Sequence, residues 1–468
     1  MKNKVVLKPL ILSLASGTLG ALGLLASIPA DARPTIRIGS QVTSVGEQPP
    51  TSAECLTEIG VPCFDPQNIR TAYGMNPLLK AGYTGAGETI VIIESYGSPT
   101  LAADLHQFDS DFGIPDPPSL KILAPLGTGP DDVTQPDPQG WAFETSLDVE
   151  WAHAMAPGAS IVVLTSPVDE TEGVQGMPEF LALEQYALAH HLGHIISQSW
   201  AVTENTLFPN AAGPAGPAVI AGFEALYARA AQEQISVLVS AGDNGSENTK
   251  TYDEATGTSS SFYTFPTVNF PASSPLATSV GGTTLYLDTA GNYQTETVWD
   301  DVSTGAGAGG GGVSEIFPIP AYQQQALSPR ARSILGGHRG VPDISYNADD
   351  YSSAILVYTS FLAPAYGTAA VGYYLIGGTS EGAPQWAGIV ADLNQYAHAP
   401  LGFLNPKLYA LGGAGLFPAF GHDVTKGNNG YGGVPGYNAT VGWDPATGWG
   451  TPNFVLLPQN WAQFNRAE

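Results

Sequence analysis

The chain has 468 residues, with 16 Lys and Arg against 42 Asp and Glu, a formal charge of −26. Such a field repels a polyanion and excludes a nucleic-acid binder that works by neutralising phosphates. Apolar residues make up 43% of the chain, which excludes a disordered polyelectrolyte, and 56 Gly with 38 Pro point to many turns rather than a helical bundle.

Residues 1–32 read as a targeting segment. Lys2, Lys4 and Lys8 precede a mostly apolar run from Pro9 to Ala30, and Ala30-Asp31-Ala32 has the small-x-small form of a cleavage site. The run is also long enough for an uncleaved anchor; its glycine and serine interruptions and its ending favour cleavage. The expectation is a secreted chain, monomeric and without stable membrane association. Residues 33–66, rich in Pro, Thr and Ser, read as a poorly structured leader. Cys55 and Cys63 are the two cysteines of the chain. A local disulfide is the expected state in an exported protein.

Residues 67–463 read as one large domain. Glu88–Glu94, Ala159–Thr165, His194–Trp200 and Ile235–Ser240 are short apolar runs rich in β-branched residues, hence buried strands. Trp141–Met155, Glu179–His191 and Ala218–Gln234 carry helical patterns between them. That alternation predicts an α/β fold, a doubly wound and mostly parallel sheet flanked by helices. The glycine tract Gly305–Gly312 reads, on composition, as a flexible surface loop. A last unit follows: a strand Gly372–Ile376, a tight turn Gly377–Ser380, and a helix Pro384–Tyr396 with proline at its start.

Four groups of residues could carry chemistry. Ser380 sits at the turn between that strand and helix, inside a G-x-S-x-G string; a helix N-cap is the plain alternative. Glu144 and Asp148 stand four apart on one helix face, where buried carboxyls would share a proton; two solvated acids are the plain alternative. His153 falls on the opposite face. Asp243 lies in SAGDNGS after a strand, and by itself reads as a turn aspartate. Near the C-terminus, Asp423 and Asp444 with nearby loop carbonyls suit a hard, oxygen-ligated cation, or form an ordinary turn-rich loop. A Ser-His hydrolase is poorly served: no histidine heads a helix in a His-Gly-Thr string, and the acids and histidines after Ser380 come in the wrong order for an α/β-hydrolase.

The strings ETSLDVEWAHAMAPGA, SAGDNGS and GGTSEGAP resemble the sedolisins, the serine-carboxyl peptidases. FPASSP, SVGGT, GGGGVS and RGVPDIS stand between them in the family's order. The resemblance implies a subtilisin-like fold and an endopeptidase acting on protein or peptide substrates. It assigns Ser380 as nucleophile, Glu144 as base, Asp148 as its partner and Asp243 as the oxyanion-hole acid. Glu94 and Trp200 match positions that extend the acid network, and Ser199-Trp200-Ala201 matches the strand that aligns substrate. One structural calcium is implied, on the side chains of Asp423 and Asp444 and the carbonyls of Val424, Thr440 and Gly442. An acid that stabilises an oxyanion must be protonated, so activity at about pH 3–5 is expected from reference carboxyl values. The family usually carries a long folded prodomain, whereas only residues 33–66 precede the peptidase pattern here. Two other readings stay open: a calcium-dependent binding protein on the same fold, and a secreted esterase.

Overall fold

The computed structural model describes residues 43–253, 258–303, 305, 307–455, 460 and 464; the expected targeting segment lies outside them. In chain order, β1 (Thr43–Gly46) and α1 (Ser52–Glu58) are followed by β2 (Thr89–Ser95), β3 (Leu120–Leu123) and the long helix α2 (Pro136–Met155). Then come β4 (Ser160–Ser166), α3 (Met177–Ala189), β5 (Ile195–Gln198), α4 (Ala215–Gln232) and β6 (Ser236–Ser240). A hairpin of β7 (Thr249–Asp253) and β8 (Thr258–Phe262) precedes β9 (Thr278–Leu287), β10 (Tyr293–Val298) and β11 (Ile344–Asn347). The chain continues through β12 (Ile355–Thr359), β13 (Gly372–Ile376) and α5 (Thr379–Ala397).

The central sheet runs β10-β9-β6-β5-β2-β4-β3, with β11 also on β9. All of its pairings are parallel except the β9–β10 hairpin. Strand β2 explains the layering. Ile90 and Ile92 face an apolar cluster that includes Leu147 and Ala383, while Val91 and Ile93 face a second one with Phe180 and Phe223. Alternation with period two therefore gives the sheet two buried faces, one under α2 and α5 and one under α3 and α4. The predicted doubly wound α/β architecture is the observed one. Among the described residues no helix is long and apolar enough to cross a membrane.

Helices α2 and α5 pack against each other closely. A Cβ at Gly388 would lie 2.6 Å from the Met155 Cβ and 2.8 Å from the Ala152 carbonyl, so only glycine permits the approach. In RGVPDIS, the buried Arg339 guanidinium bonds the Asp343 carboxyl at 2.6 Å, and that carboxyl also accepts from the Ser279 amide at 2.8 Å. The motif thus ties β9 to β11 and serves the scaffold.

The structure departs from the sequence reading in four places. The leader is ordered over residues 43–66: β1 pairs antiparallel with β13, α1 has a capping box, and Cys63 and Phe64 are in the core. Cys55 and Cys63 do form a disulfide. Within the glycine tract, residues 307–312 are packed and buried. Gly310 donates to the Gly242 carbonyl at 2.7 Å, and a Cβ there would stand 2.4 Å from the Ala241 oxygen. Its glycines serve close approach, which composition does not distinguish from flexibility. Strand β5 ends at Gln198, so Ser199, Trp200 and Ala201 are buried connecting residues beyond it. Finally, α5 starts at Thr379, and Pro384 stands inside it.

Candidate active site

Three segments from distant parts of the chain converge at the start of α5. Ser380 is the second residue of that helix, and it is 0% exposed. Its hydroxyl has no hydrogen bond among the described residues. Pro384 lacks the N–H that would cap the Ser380 carbonyl within the helix. The Ser199 hydroxyl stands 3.4 Å from that oxygen and donates to the Asp148 carboxyl, 2.8 Å from Oδ2 and 3.0 Å from Oδ1. One hydroxyl therefore links α2 to the residue at the head of α5.

Glu144 and Asp148 lie on one face of α2, 4% and 0% exposed. Asp148 also meets Glu94 of β2, and burial drives both carboxyls upward, with the neighbouring acids adding to the rise at Glu94. Two adjacent buried carboxyls cannot both ionise cheaply, so this pair holds a proton. The carboxyl that Asp148 meets is thus Glu94 from β2, and the Glu144 charge adds to the rise at Glu94. Trp200 does not join by hydrogen bond. Its ring stacks on Phe180, centroids 4.2 Å apart, and its indole N–H finds no acceptor among the described residues. His153, on the far face of α2, sits 2.8 Å from the Pro115 carbonyl and 3.3 Å from Asp109.

Asp243 follows β6 and is fully buried. Its Oδ1 accepts from the Thr379 amide at 2.7 Å and the Thr379 hydroxyl at 2.8 Å, and that hydroxyl accepts from the Gly242 amide at 2.9 Å. A carboxyl from another strand thus caps the N-terminus of α5, where unpaired amides and the helix dipole favour it. The roles of Ser199 and Thr379 in this network were not foreseen, since neither residue carries a spacing signal to its partner.

At the C-terminal loop, the Gly442 amide donates to Asp423 Oδ2 at 2.9 Å and the Thr440 amide to Asp444 Oδ2 at 2.6 Å. Asp444 Oδ1 accepts from the Ala446 and Thr447 amides, both at 3.0 Å. Among the described residues Asp423 Oδ1 is buried without a hydrogen bond, and Val424, next in the chain, is buried too. Burial raises both carboxyls, Asp444 to about 7. Gly442 is thus tied to Asp423 and Thr440 to Asp444, and the unpartnered, buried carboxylate oxygen of Asp423 is of the kind a hard cation takes. A second acidic group was missed: Asp301, Asp349 and Asp350 offer ligand atoms within 4.8 Å of one another. Asp301 accepts from the Trp299 indole at 3.0 Å and Asp349 from the Thr284 hydroxyl at 2.7 Å.

With this geometry in hand, the comparisons are specific. The profile of the subtilase family matches residues 140–406, which contain Glu144, Asp148, Asp243 and Ser380. Kumamolisin from Bacillus sp. (strain MN-32) is 34% identical over 369 residues, 78% of this chain and 57% of that protein. Sedolisin from Pseudomonas sp. (strain 101) is 32% identical over 374 residues, again 78% of this chain and 57% of its own. The chain thus spans little more than half the length of these relatives. A solved structure of Pseudomonas sedolisin, a serine-carboxyl proteinase complexed with two molecules of pseudo-iodotyrostatin, superposes with a TM-score of 0.67 at 28% identity. That match covers 87% of this chain and all of the other. By profile, relatives and architecture together, the chain belongs to the subtilase family, among its sedolisin-like members.

Proposed function

We propose that this protein is a secreted serine-carboxyl endopeptidase that works in acid. The observation that carries the reading is the convergence of Ser380, the Asp148–Ser199 bridge and Asp243 at the head of one helix. Glu144 takes the proton of the Ser380 hydroxyl as its oxygen attacks a peptide carbonyl. Asp148, held by Ser199 and Glu94, orients Glu144 and tunes its basicity. The oxyanion accepts a hydrogen bond from protonated Asp243. Because Oδ1 of that residue already accepts two bonds from Thr379, its proton belongs on Oδ2. Glu144 then protonates the departing amine, leaving an acyl ester on Ser380. Water, losing its proton to Glu144, releases the acid and restores the serine. Residues 199–201 border this site, and extended substrate is taken to run beside them.

The pH profile tests the oxyanion step. Asp243→Asn keeps a donor that cannot ionise, so it retains part of the activity and loses less of it than the parent as pH rises. Peptide cleavage by both proteins across acid and neutral pH measures this. A parent optimum above pH 7, with Asp243 dispensable, contradicts the mechanism.

Calcium would be held by the Asp423 and Asp444 side chains and the Val424, Thr440 and Gly442 carbonyls, and would supply stability rather than chemistry. A ligand that binds only the native state stabilises it by mass action. Chelation at neutral pH is therefore expected to lower the melting temperature, and Asp423→Ala or Asp444→Ala to mimic it. Identical melting before and after verified removal of all metal would exclude the ion.

A further inference from the structure

The side chain and the backbone of the proposed oxyanion acid are held by different parts of the chain. The side chain is tied to α5, where Asp243 Oδ1 accepts from the Thr379 amide and hydroxyl. The backbone is tied to the glycine tract. The Ala308 amide donates to the Asp243 carbonyl at 3.0 Å, the Gly245 amide to the Ala308 carbonyl at 2.9 Å, and the Gly310 amide to the Gly242 carbonyl at 2.7 Å. The backbone on both sides of Asp243 is therefore placed only as firmly as residues 308–310 are. Glycine loses more conformational freedom on folding than any other residue. A tract of this composition depends on bonds from outside to stay in one place.

Those bonds are made by the intervening residues of the tract. The Gly309 amide donates to the Trp299 carbonyl at 3.0 Å, while the Gly309 and Gly311 carbonyls accept from the side-chain amide of Asn429 at 3.1 and 3.2 Å. Asn429 is 0% exposed and stands in the loop between Asp423 and Asp444. Its Oδ1 accepts from the Tyr437 amide at 2.8 Å, which keeps both Nδ2 protons aimed at the tract. Two donors and an acceptor on one short planar group are what a side-chain amide offers and a carboxylate or hydroxyl does not. The main chain of the same residue reaches the Asp243 segment. The Ser246 amide donates to the Asn429 carbonyl at 2.9 Å, and a Cβ at Gly245 would collide with that oxygen. One buried residue thus bonds both the tract and the segment that the tract supports.

We propose that Asn429 is a positioning residue for the oxyanion acid, clamping the tract and the Asp243 segment together so that the Asp243 carboxyl already stands where charge develops. This rests on the peptidase reading. A donor stabilises an oxyanion best when it is in place beforehand, because no reorganisation is then required as the reaction proceeds. Loosening the clamp therefore slows the chemical step and leaves substrate binding beside residues 199–201 unaltered. Asn429 acts through Asp243, so its removal has little further effect where the Asp243 carboxyl is already gone.

A double-mutant cycle on a short peptide substrate near pH 4 tests it. Asn429→Ala is expected to lower kcat at least tenfold with KM within twofold of the parent. Added to Asp243→Ala, the same change is expected to lower kcat less than twofold further. Equal losses in the two backgrounds, a loss confined to KM, or a variant that melts lower but turns over as the parent does would each overturn the proposal. Should Asn429→Ala fail to fold, Asn429→Asp takes its place in the cycle with the same outcomes, since its protonated carboxyl keeps the shape and one donor. Parent activity decides the peptidase reading separately. Should the parent be inactive, amide hydrogen exchange in Asn429→Asp reads the clamp without chemistry. Exchange at least tenfold faster at the Ala308 and Gly310 amides, with β5 unchanged, upholds it. Exchange at the parent's rate, or a rise shared by β5, overturns it.

Discussion

Ser380→Ala is expected to remove peptide hydrolysis, lowering kcat by about 10⁴-fold or more, while the protein melts no lower than the parent. The two halves of this expectation have different origins. Activity falls because the other hydroxyl at the head of α5, that of Thr379, is engaged by Asp243 and the Gly242 amide and does not replace the nucleophile. Stability holds because the Ser380 hydroxyl is buried without a hydrogen bond among the described residues; deleting such a group is neutral or favourable by about 1 kcal/mol. Glu144→Gln keeps the shape of the base and removes its proton affinity, so a loss of about 10³-fold or more is expected. If Glu144→Gln keeps most of its activity at every pH, a carboxylate base is the wrong mechanism. His153 makes a useful contrast. Its contacts with Pro115 and Asp109 lie across α2 from the site, so replacing it should affect stability and leave the catalytic steps unchanged.

The second large effect is on stability against pH. Burial raises Glu296 and Glu204 to about 7, although the former accepts hydrogen bonds from Tyr73 and Thr283 and the latter from Ser314. Glu150, Glu184, Glu381 and Asp392 are raised well above the usual carboxyl range, again by burial first. Only Arg70 opposes the rise at Asp392, and burial outweighs it. The sign follows from proton counting. Above about pH 4 the unfolded chain has released protons that the folded chain keeps, so folding is stabilised in acid and loses that stability as pH climbs through about 7. Each group held at about 7 contributes roughly 3 kcal/mol to this loss. Metal-free protein is therefore expected to melt highest near pH 4 and progressively lower toward pH 8. A melting temperature that increases steadily over that interval would contradict the protonated-core account.

Much of the fold could be read from local pattern, because a strand buried on both faces needs an unbroken β-branched run, as Ile90 to Ile93 provides. The Glu144–Asp148 pair was equally legible, since a spacing of four on a helix fixes a common face. What escaped depends on contacts between distant segments. Ser199 serves Asp148 from 51 positions away, and β1 is ordered by pairing with β13, near the other end of the chain. Neither partner leaves a mark in the other's neighbourhood. The glycine tract misled for a related reason: the absence of a side chain serves mobility and tight packing alike, and only the position of the Ala241 and Gly242 carbonyls decides between them. Pro384 was read as a helix start, whereas Asp243 caps the helix from outside and lets it begin earlier, at Thr379.

The central claim is that Ser380 becomes acylated with a carboxylate as its base. The most direct measurement is peptide mapping by mass spectrometry after an activated peptide ester is mixed with the enzyme near pH 4 and quenched in acid. The account predicts an acyl group on the peptide that contains Ser380, absent from Ser380→Ala and strongly reduced in Glu144→Gln. An acyl group on any other residue, or undiminished labelling in Glu144→Gln, would contradict it.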